Sequence, residues 1–291
     1  MGNDGFSKCH PLTNFLFFLG AICFGVLFQH PAYLGCALVC SGLYYMLLHG
    51  RKGFKSIGLM LPLLIVIALI NPLFNTRGEH ILFSILGRPY TLEALGYGLA
   101  VGTTLLITLL WFGCYQQIIT TDKFISLFGN LAPSLSLLLV MVLRLIPGLQ
   151  SKAKQIADAR RCIGKGAENG SVKEKTSHGM TVLLTLSGWA LEGGIVTADS
   201  MKSRGYGTAK RSCFHTYRIK RSDGLLLTVM AIIAGLTIYG AATGSVYAVY
   251  TPRFFAAPVS VFLPIYCTFL LIPVGIHLKE ALLCRIFISK I

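Results

Sequence analysis

The residues best placed for chemistry in this 291-residue chain are arginines set just ahead of glycines. The run Ser200-Met-Lys-Ser-Arg-Gly-Tyr-Gly-Thr-Ala-Lys-Arg-Ser212 carries Ser203 and Arg204 directly before Gly205. A second run, Asp158-Ala-Arg-Arg-Cys-Ile-Gly-Lys-Gly166, carries Ala159, Arg160 and Arg161 ahead of Gly164. A guanidinium is a rigid fork of donors that can grip a carboxylate with two parallel hydrogen bonds, and glycine permits the left-handed turn that stops a helix. An arginine on the last turn of a rod is thereby offered to whatever lies beyond the rod. Two plainer causes also put cations there. Exposed carbonyls at a helix C-terminus favour them by about 0.3–1 kcal/mol, and positive charge is retained on the cytoplasmic side of membranes. Neither accounts for two long helices that each stop at glycine soon after an arginine. A docking hook and a solvated basic face both remain open from these residues alone.

Other chemistry finds little support. There is no H-E-x-x-H, no G-x-S-x-G and no pair of aspartates inside an apolar run, while Glu93, Asp122 and Asp223 sit near the ends of such runs. Gly164-Lys-Gly166 lacks the upstream glycine and the following Ser/Thr of a phosphate-binding loop. Cys213-x-His215 is a two-ligand fragment, and the nine cysteines include no C-x-x-C pair, so neither a zinc site nor a disulfide framework is expected. A self-contained secondary carrier would need polar groups near mid-membrane, and the runs offer only Thr103, Thr104, Thr108, Asn71 and Ser41.

The elements that must position the arginines follow from composition. Hydrophobic residues make up 54% of the chain and charged residues 13%, in long uninterrupted apolar blocks. This is the make-up of an all-α, polytopic membrane protein, in which about 20 apolar residues cross the hydrocarbon layer. Six blocks qualify, Leu12 to Phe28, Ala32 to Leu48, Ile57 to Phe74, Leu92 to Cys114, Gly224 to Tyr247 and Ala257 to His277. Two further stretches, Leu131 to Leu149 and Thr181 to Met201, carry Arg144 with Pro147 and Glu192 with Asp199, and are expected to lie along or below the membrane. The chain thus divides into a four-span region (1–115), an insert with two long helices (116–223) and a two-span region with a tail (224–291). Both termini are expected in the cytoplasm, because that threading leaves only Arg77, Arg88 and Arg253 outside. The net charge of +15 is then a membrane-orientation signal, and no nucleic-acid partner is expected.

Ser200 to Ser212 resembles the second signature of the transmembrane T component of energy-coupling factor (ECF) transporters, with Ser203 where alanine is common. Asp158 to Gly166 is similar to the first signature but has Arg161 in place of glycine, so that Gly164 becomes the candidate cap. His10 to Phe15, Arg144 to Leu149 and the small-residue span near Gly96 to Thr104 agree, and the resemblance covers roughly Lys8 to Arg221. It implies a non-catalytic scaffold in a bacterial plasma membrane, joining two cytoplasmic ABC ATPases to a membrane-embedded S component that takes up a vitamin or transition-metal ion. ATP and Mg would be bound by the ATPases, with no cofactor on this chain. Ala159, Arg160, Arg161, Ser203, Arg204 and Gly205 would form the ATPase-coupling ends. Leu183, Leu186, Trp189 and Ile195, set among Gly188, Gly193 and Gly194, would face the S component, unless that face only packs on the first long helix.

Overall fold

The computed structural model describes residues 5–75, 78, 80–85, 88–129, 133–164, 171–208, 220–250 and 254–288. Arg77, Gly166, Lys210, Arg211, Cys213, His215 and Arg253 lie outside the described residues. After a 3-10 turn, Phe6–Lys8, come α1 (Pro11–Leu27), α2 (Pro31–His49) and α3 (Arg51–Phe74). A hairpin of β1 (Ile81–Ile85) and β2 (Arg88–Thr91) leads into α4 (Leu92–Ile118), followed by α5 (Thr121–Gly129), α6 (Pro133–Cys162) and α7 (Val172–Ser203). The chain closes with α8 (Arg221–Ala242), a short hairpin of β3 (Ala248–Val249) and β4 (Phe255–Ala256), and α9 (Phe262–Ile288).

This is a polytopic all-α membrane protein. Among the described residues, seven helices are long and apolar enough to cross a membrane: α2, α3, α4, α6, α7, α8 and α9. The first apolar block forms α1, which at 17 residues is shorter. Length and composition therefore do not set α6 and α7 apart from the other long apolar helices. The helix α5, both hairpins and a disulfide between Cys36 and Cys267 were not foreseen. The two cysteines are 231 residues apart and meet because α9 packs on α2, which no cysteine spacing encodes.

Contacts divide the chain into two units, Met1–Phe124 with Tyr217–Ile291, and Ile125–Thr216. In the first, α1 and α2 open alike. His10 and His30 stand before Pro11 and Pro31, and each imidazole accepts the N–H two residues on at 3.2 Å, capping a helix whose first position suits proline. His30 Nδ1 is thus an acceptor, which leaves Nε2–H to donate to Ala257 O at 2.9 Å. The core is aromatic. Phe17 meets Trp111 edge-on at 5.6 Å and stacks on Phe269 at 5.3 Å, tying α1 to α4 and α9. Small residues bring α3 and α4 together: a Cβ at Gly98 would lie 2.8 Å from Ala68 O.

Candidate functional site

Helix α7 is a 32-residue rod with well-made ends. At its start, Ser171 and Glu174 form a capping box, the Ser171 N–H donating to Glu174 Oε2 at 2.7 Å and the Glu174 N–H to Ser171 Oγ at 3.4 Å. At its end, Arg204 is the C-cap, and Gly205 takes the left-handed conformation at φ +79°. The Tyr206 N–H reaches back to Met201 O and the Gly205 N–H to Lys202 O, both at 3.0 Å, which is the paired bonding of a Schellman cap. Gly207 is also left-handed at φ +92°, so the Gly-Tyr-Gly spacing marks two successive turns that side chains adopt only at a cost. Arg204 is exposed, and its guanidinium makes no hydrogen bond or ion pair among the described residues. Ser203 donates its hydroxyl to Ser200 O at 3.0 Å, spending it on its own helix.

Helix α6 ends differently. Gly164 is left-handed at φ +73°, and its N–H bonds Arg161 O at 3.0 Å, so the stop falls three residues after Arg161 rather than directly behind an arginine. Arg160 is half-buried and donates Nε–H to His178 Nδ1 of α7 at 3.1 Å. Arg161 is exposed, with Nη1 3.5 Å from Asp158 Oδ1 one turn back, a surface pair of small energetic weight. Ala159 is exposed. The outward guanidinium at this end is that of Arg161, while Arg160 braces the two helices. The Lys152 ammonium adds a second brace, 5.8 Å above the Trp189 ring. The pairings 160 with 178 and 152 with 189 run in opposite chain directions, making α6 and α7 an antiparallel hairpin.

The four apolar residues expected on one partner-facing surface divide between two faces. Leu186 is half-buried and Trp189 lies beneath Lys152, both on the side of α7 turned to α6. Leu183 and Ile195 are 59% and 64% exposed. At 3.6 residues per turn, Ile195 shares a stripe with Leu184 and Leu191, 66% and 70% exposed. Leu191 was missed by reading single residues, although its spacing of seven from Leu184 and four from Ile195 is the signal of a common face. Every residue from Leu191 to Asp199 is exposed. An apolar stripe of this kind on a rod marks a surface for lipid or protein.

Three hydroxyls inside the spans are spent locally, while those of Tyr33 and Tyr266 are buried without a hydrogen-bond partner among the described residues. Thr104 Oγ1 donates to Ala100 O at 2.9 Å, Thr108 Oγ1 to Thr104 O at 2.8 Å and Ser41 Oγ to Leu38 O at 3.1 Å. Asn71 differs, its Oδ1 buried with no hydrogen-bond partner beside a cleft of about 480 Å³ lined also by Ile67, Ile70, Phe74, Asn75 and Tyr97. Among the described residues no group of three or more His, Cys, Asp or Glu could hold a metal ion.

The sequence model of one protein family, CbiQ, described as cobalt transport protein, matches residues 6–216 of the chain. No curated protein matches it.

Proposed function

Since the chain belongs to the CbiQ family of cobalt transport proteins, the T-component family of ECF transporters, we propose that it is the scaffold through which two cytoplasmic ABC ATPases drive a membrane-embedded S component. The observation that carries this reading is Arg204, exposed on a Schellman-capped end of a 32-residue helix. Its side chain makes no hydrogen bond or ion pair within its own chain among the described residues, and the cap fixes the backbone from which it extends. Arg161 supplies the outward charge at the end of α6, with Arg160 setting the spacing of the two rods through His178. Each rod end enters an acidic groove on one ATPase subunit. When ATP closes the ATPase pair the grooves move, the rods follow, and the S component is reoriented to release its cargo, a vitamin or a transition-metal ion, to the cytoplasm. ATP and Mg belong to the ATPases.

In this reading α6 and α7 lie at the cytoplasmic surface of a bacterial plasma membrane, with both termini on that side. Glu192 and Asp199 support it, because carrying an acidic side chain to mid-membrane costs about 2.5–3.5 kcal/mol on insertion scales. The outward stripe of Leu184, Leu191 and Ile195 would meet the S component. The hydroxyls of Ser41, Thr104 and Thr108, bonded to their own helices, are not available to line the path of a self-contained carrier.

Arg204→Glu tests the hook. Losing one partner of a buried charge pair typically costs about 2–5 kcal/mol, or roughly thirty- to several-thousand-fold in affinity. The variant should insert normally yet lose copurification with the ATPases and coupled uptake. Normal assembly and uptake by Arg204→Glu would overturn the reading.

A further inference from the structure

Lys123 is the only lysine or arginine that is buried among the described residues, 8% exposed in a region otherwise rich in apolar side chains. It stands in the first turn of α5, at the joint with α4, which ends at Ile118; Ile118 and Ile119 are themselves buried. The boundary between the two units falls one residue further on, between Phe124 and Ile125, so α5 is the helix through which the chain passes from one to the other. An ammonium has three donors, and the acceptors of this one include Ser7 O, Ser7 Oγ at 3.1 Å and Ile118 O at 3.0 Å. Ile118 O is one of the last carbonyls of α4, which have no partner within their own helix, and a cation there also suits the helix dipole. Lys123 therefore caps α4 and grips the N-terminal turn together.

That turn is itself well seated. Phe6 is fully buried and meets Phe17 and Phe18 of α1 edge-on, at 5.4 and 6.2 Å between ring centroids. Next to it, Lys8 pairs with Glu280 of α9. The segment Phe6–Lys8 is thus fastened to α1, to α9 and, through Lys123, to the root of α5. Burying an ammonium is costly, and hydrophobic replacement of buried charges is often neutral or stabilising, so net stability is a poor reason for a lysine at this place.

We propose that the N-terminal turn is a strap that fixes the root of α5, with Lys123 as its positioning residue, so that motion delivered to Ile125–Thr216 moves the membrane helices instead of being lost in a loose joint. The inference rests on the coupling function proposed above. Its test is the Lys123→Met variant in the assembled transporter, read as uptake per ATP hydrolysed, alongside insertion and ATPase copurification. The expected result is a fall in that ratio of about fivefold or more, in the range of ordinary coupling energies, with insertion and copurification unchanged. Phe6→Ala, which unseats the turn and leaves the lysine in place, should lower the same ratio, and it decides the matter if Lys123→Met fails to insert. An unchanged ratio, or copurification lost in proportion to uptake, would overturn the strap. Failure of the coupling function itself would show separately, in an unsubstituted chain that does not copurify with ATPases.

Discussion

At Gly205 the backbone angle of +79° is one that a side chain adopts at a cost of about 1–2 kcal/mol. Gly205→Ala keeps Arg204 and every charge, yet strains the cap that aims it. If the bound state bears the whole strain, ATPase affinity falls about five- to thirtyfold, measured by titrating the ATPase pair against the purified chain. Unchanged affinity would mean that the cap does not aim the arginine. The left-handed turn at Gly205 is legible in the sequence, because a glycine just past an apolar-periodic run has few other reasons to be there. So is the turn at Gly164, which the displaced glycine of Asp158 to Gly166 suggests. The contact of Arg160 with α7 is not legible. Its partner His178 lies 18 residues on, and only the closing of α6 against α7 brings the two within 3.1 Å.

Among the elements, α7 carries two different faces, and the distinction has a direct consequence. Leu186 and Trp189 hold it to α6, while Leu184, Leu191 and Ile195 look outward. Replacing both Leu191 and Ile195 by Asp should abolish S-component copurification, since burying such side chains is worth about 1.5–3 kcal/mol each, while leaving the ATPases bound. Loss of both partners together would instead point to collapse of the hairpin. The apolar helices were legible as blocks of about 20 apolar residues, since helix is the form that satisfies its backbone in lipid. Their ends were not: α9 runs Phe262–Ile288 against the expected Ala257 to His277. Helix α5 and the two hairpins were not, because they are short and are fixed by neighbours distant in sequence, as Lys123 is by Ser7. Periodicity showed an amphipathic rod at α7 but not which face α6 would cover, since Lys152 above Trp189 is a product of the hairpin crossing.

Taken whole, the molecule has one unit with an aromatic core and a second that contains the braced helices α6 and α7, with exposed arginines at their ends. On the scaffold reading proposed above, such a chain receives motion at its rod ends and passes it on along α7, and ATP is hydrolysed by its partners. The most direct measurement is uptake into vesicles reconstituted with this chain and its S component, with and without the ATPase pair. The account predicts uptake only when the ATPases are present and ATP is supplied on their side. Uptake by the chain and S component alone, unaffected by ATP, would contradict it.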